Sequence, residues 1–227
     1  MAWIGFHAIG HDLDRGLTIL SDSLNTATDA LTERRAQIVQ DYADYEAGVS
    51  AGSVERIGEW DEDAGWIWEQ SQFYEFDLTT VDETIASMRK AHVIALYHHW
   101  ERVISRWALR QMLANGVTPD GNLTHGDFKK AVVAGGYDVH PRLDAVRALN
   151  NCLKHNSDDF GPKLMKRWPE LFPADYKGGK GSDWFEDITI TEEQMTEIVE
   201  ALRTSGPPAW LPKPDGFKWP RKSGKND

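Results

Sequence analysis

Apolar residues in the first fifth of the chain recur with helical spacing. Leu13, Leu17, Leu20, Leu24, Ala27 and Leu31 are separated by four, three, four, three and four positions, and Ile38, Tyr42 and Tyr45 resume the stripe. That period predicts one long amphipathic helix over residues 11–47, with a coiled-coil-like seam turned to a core. No proline interrupts it, and Gly16 is its only glycine. GVSAGS at 48–53 marks a break. The next stretch, to about residue 77, is acidic and aromatic at once. Trp60, Trp66, Trp68, Phe73, Tyr74 and Phe76 are too apolar to sit together in water, so they are expected to pack on the helical body or in a subunit interface. The carboxylates among them would repel nucleic acid.

A second long helix is expected over about 81–114, opened by a Thr80–Glu83 capping box and stopped at Asn115-Gly116. A short helix follows at Asp127–Val133, ended by GGY at 135–137. A third major helix starts at His140-Pro141 and runs to about Lys154, with Asn156 as its C-cap. Residues 157–185 read as irregular. Thr189 or Thr191 opens a last helix, and from Gly206 the chain is Pro-rich and extended. No strand is expected. The fold class is therefore all-α: a helical bundle with a long N-terminal helix and a Pro-rich C-terminal tail. Three parts are expected: 1–77, the long helix with its acidic aromatic segment; 78–205, the helical domain; and 206–227, a basic aromatic tail.

At 227 residues and 41% hydrophobic, the chain can bury a sizeable core. Its net charge of −11 argues against a general nucleic-acid coat protein, but the charge is uneven. Residues 1–100 carry 6 Lys/Arg against 18 Asp/Glu, whereas residues 101–227 carry 19 against 18. An anionic ligand would have to use the second half. Cys152 is the sole cysteine, so neither an intrachain disulfide nor a Cys-based zinc site can form, which fits a reducing compartment. The N-terminus lacks a signal-peptide pattern and no apolar run is long enough to span a bilayer, so a cytoplasmic location away from the membrane is expected.

One segment concentrates chemistry. In RALNNCLKHN, residues 147–156, with about 100° per residue and Arg147 at zero, Asn151 falls near 40°, His155 near 80° and Lys154 near −20°. Val146, Leu149, Cys152 and Leu153 occupy the opposite side. The polar stripe can be a solvated face whose cations complement the helix dipole, or a set of groups placed to hold a phosphate.

NNCLKH, an N-x-x-x-H spacing with an arginine one turn earlier, resembles the signature helix of the HEPN superfamily of all-helical domains. IALYHHWERVISRW at 94–107 is similar to the aliphatic–aromatic–x–x–W–E helix of several prokaryotic HEPN-like families, which places Glu101 on a helix beside the signature helix. The order of helices over roughly residues 80–205 also resembles that family. The resemblance implies a HEPN-like bundle acting as a metal-independent endoribonuclease in a toxin–antitoxin or antiphage role. His155 would be the acid/base, Arg147 and Lys154 the phosphate clamp, Asn151 a positioning group, and Glu101 either an orienting or a structural carboxylate. A ribose 2′-OH would attack the adjacent phosphate, leaving a 2′,3′-cyclic phosphate and a 5′-OH. No cofactor is implied. A homodimer is implied, with RNA as substrate and a cognate antitoxin or other protein as a further partner.

The chain departs from the family pattern in two places. Seven residues separate Arg147 from His155, more than the usual signature has, and Asn150 stands where many active members carry arginine. A catalytically degenerate HEPN-like module, holding RNA, a nucleotide or a partner protein on the same face, is the other expectation. Remaining motifs carry less. His98 and His99 are adjacent and point about 100° apart, and His7 and His11 lack a third ligand, so neither pair makes a metal site by itself. KGGKGS at 177–182 lacks the Walker pattern and a preceding strand. In the tail, Trp210, Phe217 and Trp219 among Lys213, Lys218, Arg221, Lys222 and Lys225 can stack bases or strap across the chain's own domain.

Overall fold

The long stripe of apolar residues forms one helix. In the computed structural model, which describes residues 5–118 and 121–210, helix α1 spans Ala8–Ser50. Its first turn is capped by His7, whose ring Nδ1 accepts from the Gly10 amide at 3.0 Å. Leu13, Leu17, Leu24, Ile38 and Tyr45 are buried along it. The second long helix, α2, spans Gln70–Ala114 and lies antiparallel to α1.

Gly16 lies on the face of α1 that packs against α2. A Cβ there would stand 2.1 Å from Nε2 of His99 on α2. That nitrogen is 3.2 Å from the carbonyls of both Asp12 and Leu13, so the ring fills the space a side chain would take.

Two expectations about the link between these helices are corrected. The acidic aromatic segment contains a β-hairpin, β1 Gly58–Asp61 and β2 Gly65–Glu69, where no strand was expected. Its turn is set by Asp61, whose carboxylate accepts from the amides of Asp63 and Ala64, and by Gly65 at φ 79°. Strands of four and five residues are too short to establish an alternating pattern. Second, α2 begins eleven residues before Val81. A Glu69–Gln72 capping box opens it, and α2 runs unbroken through residues 77 and 78. Thr80 is an interior residue whose hydroxyl donates to the Phe76 carbonyl at 2.9 Å, so Thr80–Glu83 is not a cap.

The proximal halves of α1 and α2 join the remaining helices in one body. Helix α3, His125–Ala134, is opened by a Thr124–Asp127 capping box. Helix α4, Leu143–His155, begins after a turn over His140–Arg142 and ends on Asn156 in the left-handed region, φ 47°. Residues 157–185 are more ordered than expected: α5 Gly161–Arg167, a 3₁₀ turn at Pro169–Leu171, and α6 Trp184–Asp187. Helix α7, Glu192–Thr204, is capped by Thr191.

Trp100, Trp168 and Trp184 are fully buried between these elements. Trp100 Nε1 donates to the Ser205 carbonyl at 2.8 Å, which ties the end of α7 to α2. The first residues after α7 turn back along the N-terminus: His7 N donates to the Ala209 carbonyl at 3.0 Å, and Phe6 pairs with Trp210. The tail cations and aromatics from Lys213 onward lie outside the described residues. No helix among the described residues is long and apolar enough to cross a membrane.

The distal halves of α1 and α2 leave the body as a two-helix stalk. Ile38, Tyr45 and Val81 are buried along it, and Arg35 makes a paired hydrogen bond with Asp82 across it at 2.8 and 3.2 Å. The hairpin caps its far end.

Candidate functional site

Helix α4 owes its two faces to its sequence. Val146, Leu149, Cys152 and Leu153 are buried, and Arg147, Asn151, Lys154 and His155 lie on the other side, half-buried or exposed. Burial raises the Cys152 thiol to a pKa of about 12. Asp144 in the first turn and Lys154 with His155 in the last complement the helix dipole.

The polar residues do not converge on one point. Arg147 is half-buried with its guanidinium carbon 5.4 Å from the Phe160 ring, and Lys163 Nζ lies 5.0 Å from the same ring. The Asn151 amide turns back on its own helix and donates to the Arg147 carbonyl at 2.8 Å. Lys154 and His155 are exposed, with no hydrogen bond or ion pair to other described residues. Eight residues of α-helix place His155 about 12 Å along the axis from Arg147. Asn150 is buried, and its Oδ1 has no hydrogen-bond partner among the described residues.

Glu101 on α2 pairs with His98 on its own helix at 3.4 Å, and both side chains are partly exposed. Its charge raises the Tyr97 phenol, and that of Arg147 opposes it.

Behind this face lies a polar chain the sequence reading missed. Tyr97 Oη is 2.9 Å from His125 Nδ1, and His125 Nε2 is 3.1 Å from Asp144 Oδ1. Lys129 Nζ donates to both Asp144 oxygens at 2.9 Å. A carboxylate only accepts, so Nε2 carries the imidazole proton and Nδ1 accepts from the tyrosine hydroxyl. Burial, helped by the nearby Arg147 and Lys129 charges, depresses His125 to a pKa of about 4 against the pull of Asp144. The His125–Asp144 contact is therefore a hydrogen bond from a neutral ring at pH 7. Burial pushes the Asp144 carboxyl up, but hydrogen bonds from Lys129 and His125 outweigh it and leave it below its ordinary value. Burial, and then the Glu101 charge, raise the Tyr97 phenol. Asp144 was within reach of the helical-wheel argument, since it falls near 60° on the stripe of Arg147. The His125–Lys129 spacing of one turn carried no chemistry until α3 was placed against α4.

The other candidate motifs have structural employment. His7 caps α1, His98 meets Glu101, and the buried His99 packs on α1. No group of three or more His, Cys, Asp or Glu is assembled for a metal among the described residues. In KGGKGS, the Gly181 amide donates to the Asp158 carboxylate at 3.1 Å, so this loop already holds an anionic group of its own chain.

No family model, curated protein or solved structure matches the chain.

Proposed function

We propose that the chain is a HEPN-like helical module that binds RNA along the α4–α5 face and does not cut it as a single copy. The observation that carries this reading is the placement of Arg147. It shares the Phe160 ring with Lys163, roughly two helical turns from His155, so the face offers successive phosphates a row of cations. Residues 142–167 hold six Lys/Arg against three Asp/Glu in a chain that is otherwise acidic, which favours an anionic ligand here. Asn150 at the family's arginine position removes a charge that a catalytic site would use.

The endoribonuclease reading, in a toxin–antitoxin or antiphage role, has one observation in its favour: Lys154 and His155 are exposed and uncommitted at the end of α4. It requires a homodimer in which a second copy brings its own cations to His155.

The test is a titration of fluorescent single-stranded RNA in EDTA over a salt series, with wild type, Lys154→Ala and Lys163→Ala. Affinity should fall with salt at a slope of roughly −2 for three phosphate contacts, and each variant should reduce that slope by about 0.7. Binding that ignores salt and both substitutions would remove this reading.

A further inference from the structure

The stalk tip is apolar where it should be polar. Trp60 is 59% exposed, Ile67 55%, Phe73 52% and Phe76 70%. Trp60 and Phe73 border the hairpin tryptophans, and Ile67 points from the opposite strand face. Trp60 opposes Trp66 across the hairpin with ring centroids 5.3 Å apart, and Trp68 meets Phe73 at 5.6 Å. Trp66 and Trp68 share one strand face, and Phe73 and Phe76 continue the row on the first turns of α2. A contiguous exposed aromatic row on a folded element marks an interaction surface.

The platform beneath it is fixed. The Ile57 amide donates to Tyr45 Oη on α1 at 3.1 Å, Trp68 Nε1 donates to Glu59 at 3.2 Å, and Tyr74 stacks on Tyr42 at 5.4 Å. The aromatics are thus held in place without a partner, which lowers the entropy cost of binding one. Among the described residues the helical body does not cover them: Phe73 and Tyr97 are separated by roughly 36 Å of α2.

Charge selects the occupant. Residues 54–77 carry eight Asp/Glu and one Lys/Arg, and that one, Arg56, is engaged with Glu69 at 3.2 Å and lies over the Trp66 ring. Such a surface repels nucleic acid and anionic lipid, and a second copy would set carboxylates against carboxylates. We propose that the stalk tip is a docking surface for a basic amphipathic segment of a partner protein, its apolar side on the Trp60–Phe76 row and its Lys/Arg side chains on the surrounding carboxylates. This surface is separate from the α4–α5 face and does not depend on the RNA reading.

The test uses the full chain and a fluorescein-labelled helical peptide of Leu and Lys, beside the same peptide with Glu for Lys. Fluorescence anisotropy should show the Lys peptide binding tighter than about 10 μM, weakening with salt, and the Glu peptide not binding. Trp60→Ser/Phe76→Ser should weaken binding at least about tenfold, since exposed aromatics contribute binding energy and little folding energy. Glu55→Lys/Glu62→Lys should weaken it with the aromatics intact, since neither carboxylate holds an aromatic side chain, and circular dichroism should show both variants folded. Lack of binding by the Lys peptide, or equal binding by both peptides, overturns the proposal. So would self-association in sedimentation, or binding to phosphatidylserine vesicles, that is lost in Trp60→Ser/Phe76→Ser.

Discussion

His125 is a histidine buried between three helices. It sits against Trp100, donates to Asp144, accepts from Tyr97, and is neutral at pH 7. Its pKa of about 4 in the fold lies below the ordinary 6.5, so between those values the unfolded chain binds a proton the folded chain does not. Stability therefore falls as pH drops from about 6.5 towards 4 and is fully present above 6.5, with an amplitude of about 3 kcal/mol. Urea denaturation at pH 7 and pH 5 should show about 2 kcal/mol of that loss, and His125→Gln should flatten it. An unchanged pH slope in the variant would mean that other groups set the acid sensitivity. Cys152 gives a second residue-level test. Burial and a raised pKa make its thiol inert. Ellman's reagent should report no fast thiol in the native protein and one equivalent per chain in denaturant.

At the scale of elements, α1 and α2 make the clearest prediction. Gly→Ala in a helix interior ordinarily stabilises by up to about 1 kcal/mol. At Gly16 the sign should reverse, with a loss of about 1–3 kcal/mol, because the added methyl meets the buried His99 ring. Equilibrium denaturation decides between the two signs.

The same element shows what could be read in advance. The period of Leu13 to Tyr45 announced α1, Asn156 announced the end of α4, and the start of α7 was narrowed to Thr189 or Thr191, of which Thr191 is the cap, because those signals act within a few residues. The start of α2 was missed because Thr80–Glu83 matches a capping box as well as Glu69–Gln72 does, and only the hairpin selects the earlier one. The α4 stripe was legible from its angles. Whether its members converge was not, since Arg147 is placed by Phe160 and Lys163 on the next helix. The Tyr97–His125–Asp144 chain joins α2, α3 and α4, and nothing in any one of those segments signals it.

Across the whole molecule, opposite chemistry is kept apart. The stalk tip is aromatic and acidic, and the α4–α5 face is cationic, with roughly 36 Å of α2 between Phe73 at the tip and Tyr97 behind that face. With a basic protein segment proposed for one end and RNA for the other, each can be occupied without displacing the other. Charge substitutions at the tip are accordingly expected to leave RNA affinity within about twofold of wild type in the same anisotropy titration, since a separation of several Debye lengths is largely screened.

The most direct measurement incubates end-labelled single-stranded RNA with the purified protein in excess EDTA, and reads the bound fraction on a native gel and RNA integrity on a denaturing gel. A module that binds without cutting should give a shifted band containing intact RNA, weakened in Lys154→Ala and Lys163→Ala. RNA cut by the wild type to 2′,3′-cyclic phosphate ends, and left whole by His155→Ala, would contradict it and establish the nuclease in its place.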